Sequence, residues 1–318
     1  MKKKIFIDGA EGTTGLRLRQ RLESRDDIEI ITVADESLRK DAAEKKRCIS
    51  LSDVTFFCLP DAAASEDALL CDNENTVLID ASTAHRTESG WVYGFPELHG
   101  YREKIRSSKR IAVPGCHASG YIAAVFPLVE KGVLKKDAQT VCFSLTGYSG
   151  GGKKMIAEYE SGEKRRQLYS PRIYGTSQTH KHLREMKFVS GLEKAPVFVP
   201  TVDDYYSGML TTIPLTPDMM SKSFSKSDVT DIFKEYYSGQ KLVRVLGEND
   251  AGDVFENGSF LDAGALSGKD LMYIYVSGND ERMTLHAVFD NLGKGASGAA
   301  VQCMNIVLGA DEASGLDI

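Results

Sequence analysis

The sequence predicts an α/β protein: a doubly wound parallel sheet comes first, and a second α+β domain on a mixed, mostly antiparallel sheet follows. Three observations carry this. The chain opens on a strand, a glycine turn and a helix. Continuous apolar runs such as residues 54–59 then alternate with helical stretches, as in parallel strands covered on both faces. Beyond residue 139 the runs become alternating or β-branched and follow one another with few helices between, which favours antiparallel pairing. With 318 residues, 42% of them apolar, the chain is long enough for two separate cores.

Composition narrows the function classes. A net charge of −6 leaves no broad basic surface for nucleic acid or anionic lipid, so a small-molecule partner is expected. The six cysteines, at 48, 58, 71, 116, 142 and 303, show no C-x-x-C pair and none of the density of a disulfide scaffold. A reducing, cytoplasmic setting and no metal site are the expectation. Lys2-Lys3-Lys4 is followed by an apolar run of only three residues before Asp8, too short for a signal peptide. No window approaches a membrane span.

Residues 4–8 read as the first strand. Gly9, Gly12 and Gly15 then form G-x-x-G-x-x-G, with Thr13 and Thr14 at the start of a helix carrying Leu16, Leu18 and Leu22. Glycines between a strand and a helix let a pyrophosphate approach backbone N–H groups at the helix N-terminus. The second strand, residues 28–33, leads to Asp35, placed to hold the ribose hydroxyls of NAD. Arg39 and Lys40 follow and suit a 2′-phosphate, so NAD and NADP both stay open here. Residues 54–59 form a central strand closed by Pro60-Asp61, and 62–70 a helix. Residues 76–80 form a further strand, ending in Ala81-Ser82-Thr83-Ala84-His85-Arg86 at the sheet edge where ligands of such sheets bind.

A strand at 110–113 runs into Pro114-Gly115-Cys116 and then a helix with Ile122, Val125, Phe126 and Val129 on one face. Cys116 thus falls near a helix N-terminus. The dipole there favours a thiolate, and free N–H groups can hold an oxyanion on a carbonyl that sulfur attacks. A buried structural cysteine after a turn is the competing reading.

A strand at 139–146 enters Gly147-Tyr148-Ser149-Gly150-Gly151-Gly152-Lys153-Lys154. This lacks P-loop spacing but suits a phosphate or carboxylate through Ser149, Gly150 and Lys153. Residues 161–177 are polar and read as an exposed loop. In Thr179-His180-Lys181-His182-Leu183-Arg184-Glu185, a helix would set His182 and Glu185 on one face, the carboxylate orienting an acid/base imidazole. His180 is the other candidate. The runs 196–201, 208–215, 242–245, 271–277 and 284–289 read as strands, with a helix over 227–237. Small residues from Asn291 through Gly295 to Gly298 then permit close backbone approach before a last helix striped by Val301, Met304 and Leu308.

In this order, the glycine turn, Pro114-Gly115-Cys116, His180-Lys181-His182 and Asp290-Asn291-Leu292-Gly293-Lys294-Gly295-Ala296-Ser297-Gly298 resemble the N-acetyl-gamma-glutamyl-phosphate reductase family, in its shorter form. That form is marked by Phe6-Ile7-Asp8-Gly9, Gly12-Thr13-Thr14-Gly15, Cys58-Leu59-Pro60-Asp61, Asp80-Ala81-Ser82-Thr83-Ala84-His85-Arg86, Gly94-Phe95-Pro96-Glu97-Leu98 and the Gly147–Lys153 stretch. The resemblance spans nearly the whole chain. One departure is that the family usually reads Asn-Pro-Gly-Cys-Tyr-Pro-Thr, whereas Val113 precedes the proline here and His117-Ala118-Ser119 follow the cysteine.

The resemblance implies NADPH-dependent reduction of N-acetyl-L-glutamyl 5-phosphate to the semialdehyde through a Cys116 thioester, with His180 or His182 moving the proton. It implies NADP(H) contacts at Gly9, Gly12, Thr13, Thr14, Gly15, Arg39, Cys58, Pro60, Asn291 and Gly295. Arg86, Ser149, Gly150 and Lys153 would hold the substrate's anions. Residues 1–115 with 291–318 would form the dinucleotide-binding domain and 116–290 the catalytic and dimerisation domain of a homo-oligomer, dimer or tetramer. Two rivals are an aspartate-semialdehyde dehydrogenase-like enzyme and a non-catalytic dinucleotide-sensing module.

Overall fold

The computed structural model describes residues 2–247, 250, 254–256 and 260–318. The chain divides into two units, Met1–Pro114 with Ala296–Leu316, and Gly115–Gly295 with Asp317–Ile318. In chain order the first runs β1 (Lys3–Asp8), α1 (Thr13–Glu23), β2 (Ile28–Ile31), α2 (Ala42–Leu51), β3 (Val54–Phe57) and α3 (Asp61–Ala68). It continues through β4 (Val77–Asp80), β5 (Val92–Tyr93), α4 (Tyr101–Ser107) and β6 (Arg110–Ala112). The second unit holds α5 (Cys116–Glu130), β7 (Val141–Gly147), α6 (Gly152–Tyr159), β8 (Arg172–Ile173), α7 (His182–Ser190), β9 (Val197–Asp203), β10 (Met209–Leu215) and α8 (Lys226–Tyr236). It ends with β11 (Val243–Val245), β12 (Phe255–Glu256), β13 (Phe260–Leu261), β14 (Met272–Asn279) and β15 (Arg282–Phe289). The final helix, α9 (Gly298–Leu308), belongs to the first unit.

The first unit is a six-stranded sheet in the order β2-β1-β3-β4-β6-β5, with every pair parallel. Successive side chains of a strand point to opposite faces. On one face Ile5, Ile7, Phe56 and Ile79 pack with Leu18 and Leu22 of α1 and with Val301 and Met304 of α9. On the other, Phe6, Phe57 and Leu78 meet Cys48 and Ile49 of α2 and Ala64 of α3. Helices thus cover both faces, the Rossmann-like arrangement. The chain crosses from β2, on one side of β1, to β3 on the other. That reversal opens the crevice in which such sheets bind ligands.

The second unit is a seven-stranded sheet in the order β11-β14-β15-β10-β7-β9-β8. β7 with β9 and β11 with β14 are parallel, and the other pairs are antiparallel. α5 packs on β10 and β15, and α8 on β14. The opposite face carries Phe143, Val197 and Ile173, all exposed, beside half-buried Val141, Leu145 and Val199.

Several expectations change. Leu16 stands 45% exposed, because it lies two residues, about 200° round the helix, from buried Leu18. α5 is buried over nearly its whole circumference rather than along one stripe, since α7 and α8 flank it as well as the sheet. The polar segment 161–177 is not simply an exposed loop. Leu168 is buried with Tyr159 and Val202, and β8 pairs with β9. Leu168 and Ile173, five residues apart in a polar stretch, leave no period to read. The patterns likewise do not flag α2 and α4. The former is weakly amphipathic and is held at its start by the Asp41 side chain, which accepts from the Glu44 N–H.

Candidate active site

The first unit presents a cavity of about 470 Å³ lined by Gly9, Ala10, Thr32, Arg39, Lys40 and Pro60, among others, at the C-terminal ends of β1 to β3. The glycines of the turn divide the work. Gly9 has φ +83°, and a Cβ there would lie 2.4 Å from the Cys58 carbonyl oxygen. A Cβ on Gly15 would lie 2.3 Å from the Gly9 oxygen. These two permit the turn itself. Gly12, the extended N-cap of α1, would bring a Cβ only to ordinary contact, 3.4 Å from the Gly9 oxygen. Its missing side chain therefore leaves room for a ligand at the N–H groups of Thr13 and Thr14, the first residues of α1. Cys58 follows β3, donates its N–H to the Asp8 carbonyl and is half-buried; burial pushes its thiol up. Pro60 caps α3.

Beyond β2, Asp35 turns its Oδ1 to the Ser37 N–H and hydroxyl, 2.9 and 2.5 Å away, and these bonds hold its carboxyl below the usual range. Arg39, paired with Glu36 at 2.9 Å, and Lys40 line the cavity. At its base Lys45 sits between Asp67 Oδ2 at 2.6 Å and Asp8 Oδ2 at 3.3 Å. Burial is the main cause that pushes Asp8 up to about 6, against the opposing pull of Lys45. No sequence signal pointed to Lys45.

In the second unit Cys116 is the first residue of α5, half-buried and reduced, after an extended Gly115 N-cap. The Gly115 N–H donates to Glu185 Oε2 at 3.1 Å. The same carboxylate faces His182, with Nε2 to Oε1 at 3.9 Å, an ion-pair separation rather than a hydrogen bond. α7 starts at His182, so the i,i+3 spacing places both groups on one face. His180 Nδ1 accepts the His182 backbone N–H at 3.2 Å. His117, one residue after Cys116, carries no chemical signal in the sequence pattern. Its ring lies 6.0 Å from His180 and 5.7 Å from His182. Gly295 closes the back of the turn, since a Cβ there would approach the Cys116 Cβ to 3.0 Å.

The remaining candidates are placed as follows. Asn291 donates to Ser149 Oγ and accepts from the Gly208 N–H, both at 3.0 Å. The N–H groups of Gly147, Tyr148 and Ser149 go to the carbonyls of Gly208, Tyr205 and Tyr206. An anion cradle in this loop accordingly falls to Gly150 and to exposed Lys153. Arg86, in the first unit, donates to the carbonyls of Val113 and Ala81 at 2.8 and 3.3 Å. Among the described residues no group of three or more His, Cys, Asp or Glu is arranged to hold a metal, and no helix is long and apolar enough to cross a membrane.

Comparison with known proteins agrees with this division. Residues 4–108 match the family described as semialdehyde dehydrogenase, NAD binding domain, and 116–291 that described as semialdehyde dehydrogenase, dimerisation domain. The chain is 44% identical to N-acetyl-gamma-glutamyl-phosphate reductase 2 of Nostoc sp., over 99% of each chain. It is 38% identical to N-acetyl-gamma-glutamyl-phosphate reductase of Sinorhizobium medicae, over 98% of this chain and 100% of that one. Aspartate semialdehyde dehydrogenase II from Vibrio cholerae shares the fold, with a TM-score of 0.73 and 16% identity over 97% of this chain and 99% of that one.

Proposed function

The chain belongs to the N-acetyl-gamma-glutamyl-phosphate reductase family, and from that premise we propose that it reduces N-acetyl-L-glutamyl 5-phosphate with NADPH to N-acetyl-L-glutamate 5-semialdehyde and phosphate, a step of arginine biosynthesis. The observation that carries this is Cys116 at the N-terminus of α5, its turn tied by Glu185 to the start of α7 where His182 stands.

The Cys116 sulfur attacks the acyl carbon, the carbon–oxygen bond to phosphate breaks, and a thioester remains. Backbone N–H groups in the first turn of α5 face the developing oxyanion. NADPH, when bound, supplies the hydride that reduces the thioester. His182, set by Glu185, gives a proton to the resulting thiohemiacetal oxygen. It takes that proton back as the carbon–sulfur bond breaks, which frees the aldehyde and the thiolate. His180 is the second candidate for that proton. Lys153 and Gly150, in the loop that Asn291 fixes through Ser149, hold the substrate's anions. The cofactor fits the first unit through the room left at Gly12, and Arg39 and Lys40 suit its 2′-phosphate. Asn291 and Gly295 serve this site by holding Ser149 and backing Cys116.

The aspartate-semialdehyde dehydrogenase rival rests on a shared fold at 16% identity, against 44% for the reductase named above. A spectrophotometric assay of NADP reduction with N-acetylglutamate semialdehyde and phosphate tests the reading. Faster turnover of aspartate semialdehyde would overturn it. The exposed sheet face around Phe143 and Val197 supports a homodimer built on that face. Phe143→Glu should then shift the protein to the monomer in sedimentation.

A further inference from the structure

The floor of the cavity in the first unit holds a buried carboxylate oxygen that no hydrogen bond satisfies. The walls above it are apolar: Ile31 and Val33 from the β2 side, Leu59 and Ala63 from beyond β3, all half-buried. Asp8, the last residue of β1, and Lys45 of α2 line the same cavity. Asp8 stands two positions after Phe6, so its side chain leaves the sheet on the same face, toward α2 and α3. Lys45 meets it there, with Nζ 3.3 Å from Asp8 Oδ2. Asp8 is 6% exposed, and among the described residues its Oδ2 accepts no hydrogen bond. The short contact of Lys45 Nζ, 2.6 Å, goes to Asp67 Oδ2 instead.

Two carboxylates thus share one ammonium, and acceptor capacity at Asp8 is left over. A buried polar atom without a partner costs free energy until a ligand or a water meets it. Burial pushes Asp8 up to about 6, so at higher pH it is an ionised carboxylate and can only accept. The group that completes this floor therefore brings a hydrogen-bond donor. The apolar walls call for a flat, largely apolar body behind that donor. Position narrows the choice further. Arg39 and Lys40 line the same cavity and suit the 2′-phosphate of NADPH. That phosphate and the adenine stand on neighbouring carbons of one ribose, so a phosphate held there leaves the adenine in the same cavity. Adenine is flat, and its 6-amino group donates.

We propose that Asp8 is a specificity-determining residue whose carboxylate accepts a hydrogen bond from the 6-amino group of the cofactor's adenine and so selects adenine over a base with an oxygen at that position. This rests on the cavity being the NADPH site. Lys45 holds the Asp8 carboxylate, and Asp67 holds Lys45. A buried acceptor rejects an analogue that presents a second acceptor to it, because no proton then lies between the two oxygens.

The test is a fluorescence titration of the full-length protein at pH 8 with NADPH and with its hypoxanthine analogue, in which an oxygen replaces the 6-amino group. The wild type should bind NADPH about ten- to a hundredfold more tightly than the analogue. Asp8→Asn should bring the two affinities together, because its amide can accept from the amino group through oxygen or donate to the analogue's oxygen through nitrogen. Asp8→Ala should weaken NADPH and spare the analogue, which closes the gap from the other side. Lys45 keeps Asp67 as its partner in both variants, so the buried ammonium stays paired. The ratio of NADPH to NADH affinity should not change in Asp8→Asn, since Arg39 and Lys40 are untouched. Equal affinities in the wild type, or a wild-type ratio in Asp8→Asn, overturn the proposal, as does a parallel loss of the NADPH-to-NADH ratio, which would mark a distorted pocket. Failure of the cofactor reading shows separately, as a wild type that binds no NADPH, and removes the assignment with it.

Discussion

α1 and α5 begin in nearly the same way. Each is capped by an extended glycine, Gly12 at φ −70°, ψ 165° and Gly115 at φ −74°, ψ 145°, and neither has a side-chain cap. What surrounds them differs. At Gly12 a side chain is missing, and the residues just before it in the turn, Gly9, Ala10 and Glu11, line a cavity. At Gly115 the N–H is taken by Glu185, and the residues that follow are Cys116 and His117, whose ring lies 6.0 Å from that of His180 and 5.7 Å from that of His182. A helix N-terminus alone suits an anion. It becomes a reaction centre only where distant elements bring side chains to it.

The comparison breaks most sharply at the sulfur. Cys116→Ser should lower turnover by on the order of 10⁴-fold or more while NADPH still quenches protein fluorescence. Substantial residual reduction would return Cys116 to a structural role. His182→Asn should cost about 10²–10⁴-fold in kcat and leave Cys116 open to alkylation. If His180→Asn is the crippled variant instead, the proton belongs to His180.

At α1 the two kinds of glycine separate by readout. Gly12→Val should raise the NADPH KM about ten- to a hundredfold from a clash of about 1–3 kcal/mol, with the melting temperature nearly kept. Gly15→Ala should instead lower the melting temperature, because its Cβ would lie 2.3 Å from a carbonyl oxygen. Gly295→Val is a poor probe of cofactor binding, since it would crowd Cys116 directly. Arg39→Ala should cut the preference for NADPH over NADH about tenfold, read from kcat/KM with each. Equal ratios before and after would remove the 2′-phosphate assignment.

The smallest expected effect is on stability. His117 and His286 titrate about 3 and about 4 in the folded chain, lowered mainly by burial, against an ordinary value of 6.5. The unfolded chain takes up those protons first. Their contribution is therefore fully present above pH 6.5 and is lost as pH falls toward 4 and below. His286→Gln should flatten part of that slope in denaturant melts from pH 7 to 4.

The glycine turn, the apolar strand runs and Cys116 after Pro-Gly were legible because each is a local pattern. Glycine spacing, hydrophobic period and helix start are written within a dozen residues. The burial of Val301 and Met304 in the core of the first unit was legible too. The structure, however, buries α9 from Gly298 to Ile306 on all sides rather than along one stripe and leaves Leu308 half-buried. Tyr174, Ser144 and Lys45 left no such trace. Tyr174 lies in a stretch that reads as polar loop, Ser144 is one small residue in a strand, and Lys45 is one cation among many. Sequence alone determined the fold class and the strand–glycine turn–helix start, and marked Cys116 as the candidate nucleophile, because backbone conformation and periodicity are short-range. Only the tertiary structure decided which side chains gather at the start of α5. Ser144 and Tyr174 stand 27 and 57 residues beyond His117, and only the pairing of the second sheet brings them to one ring.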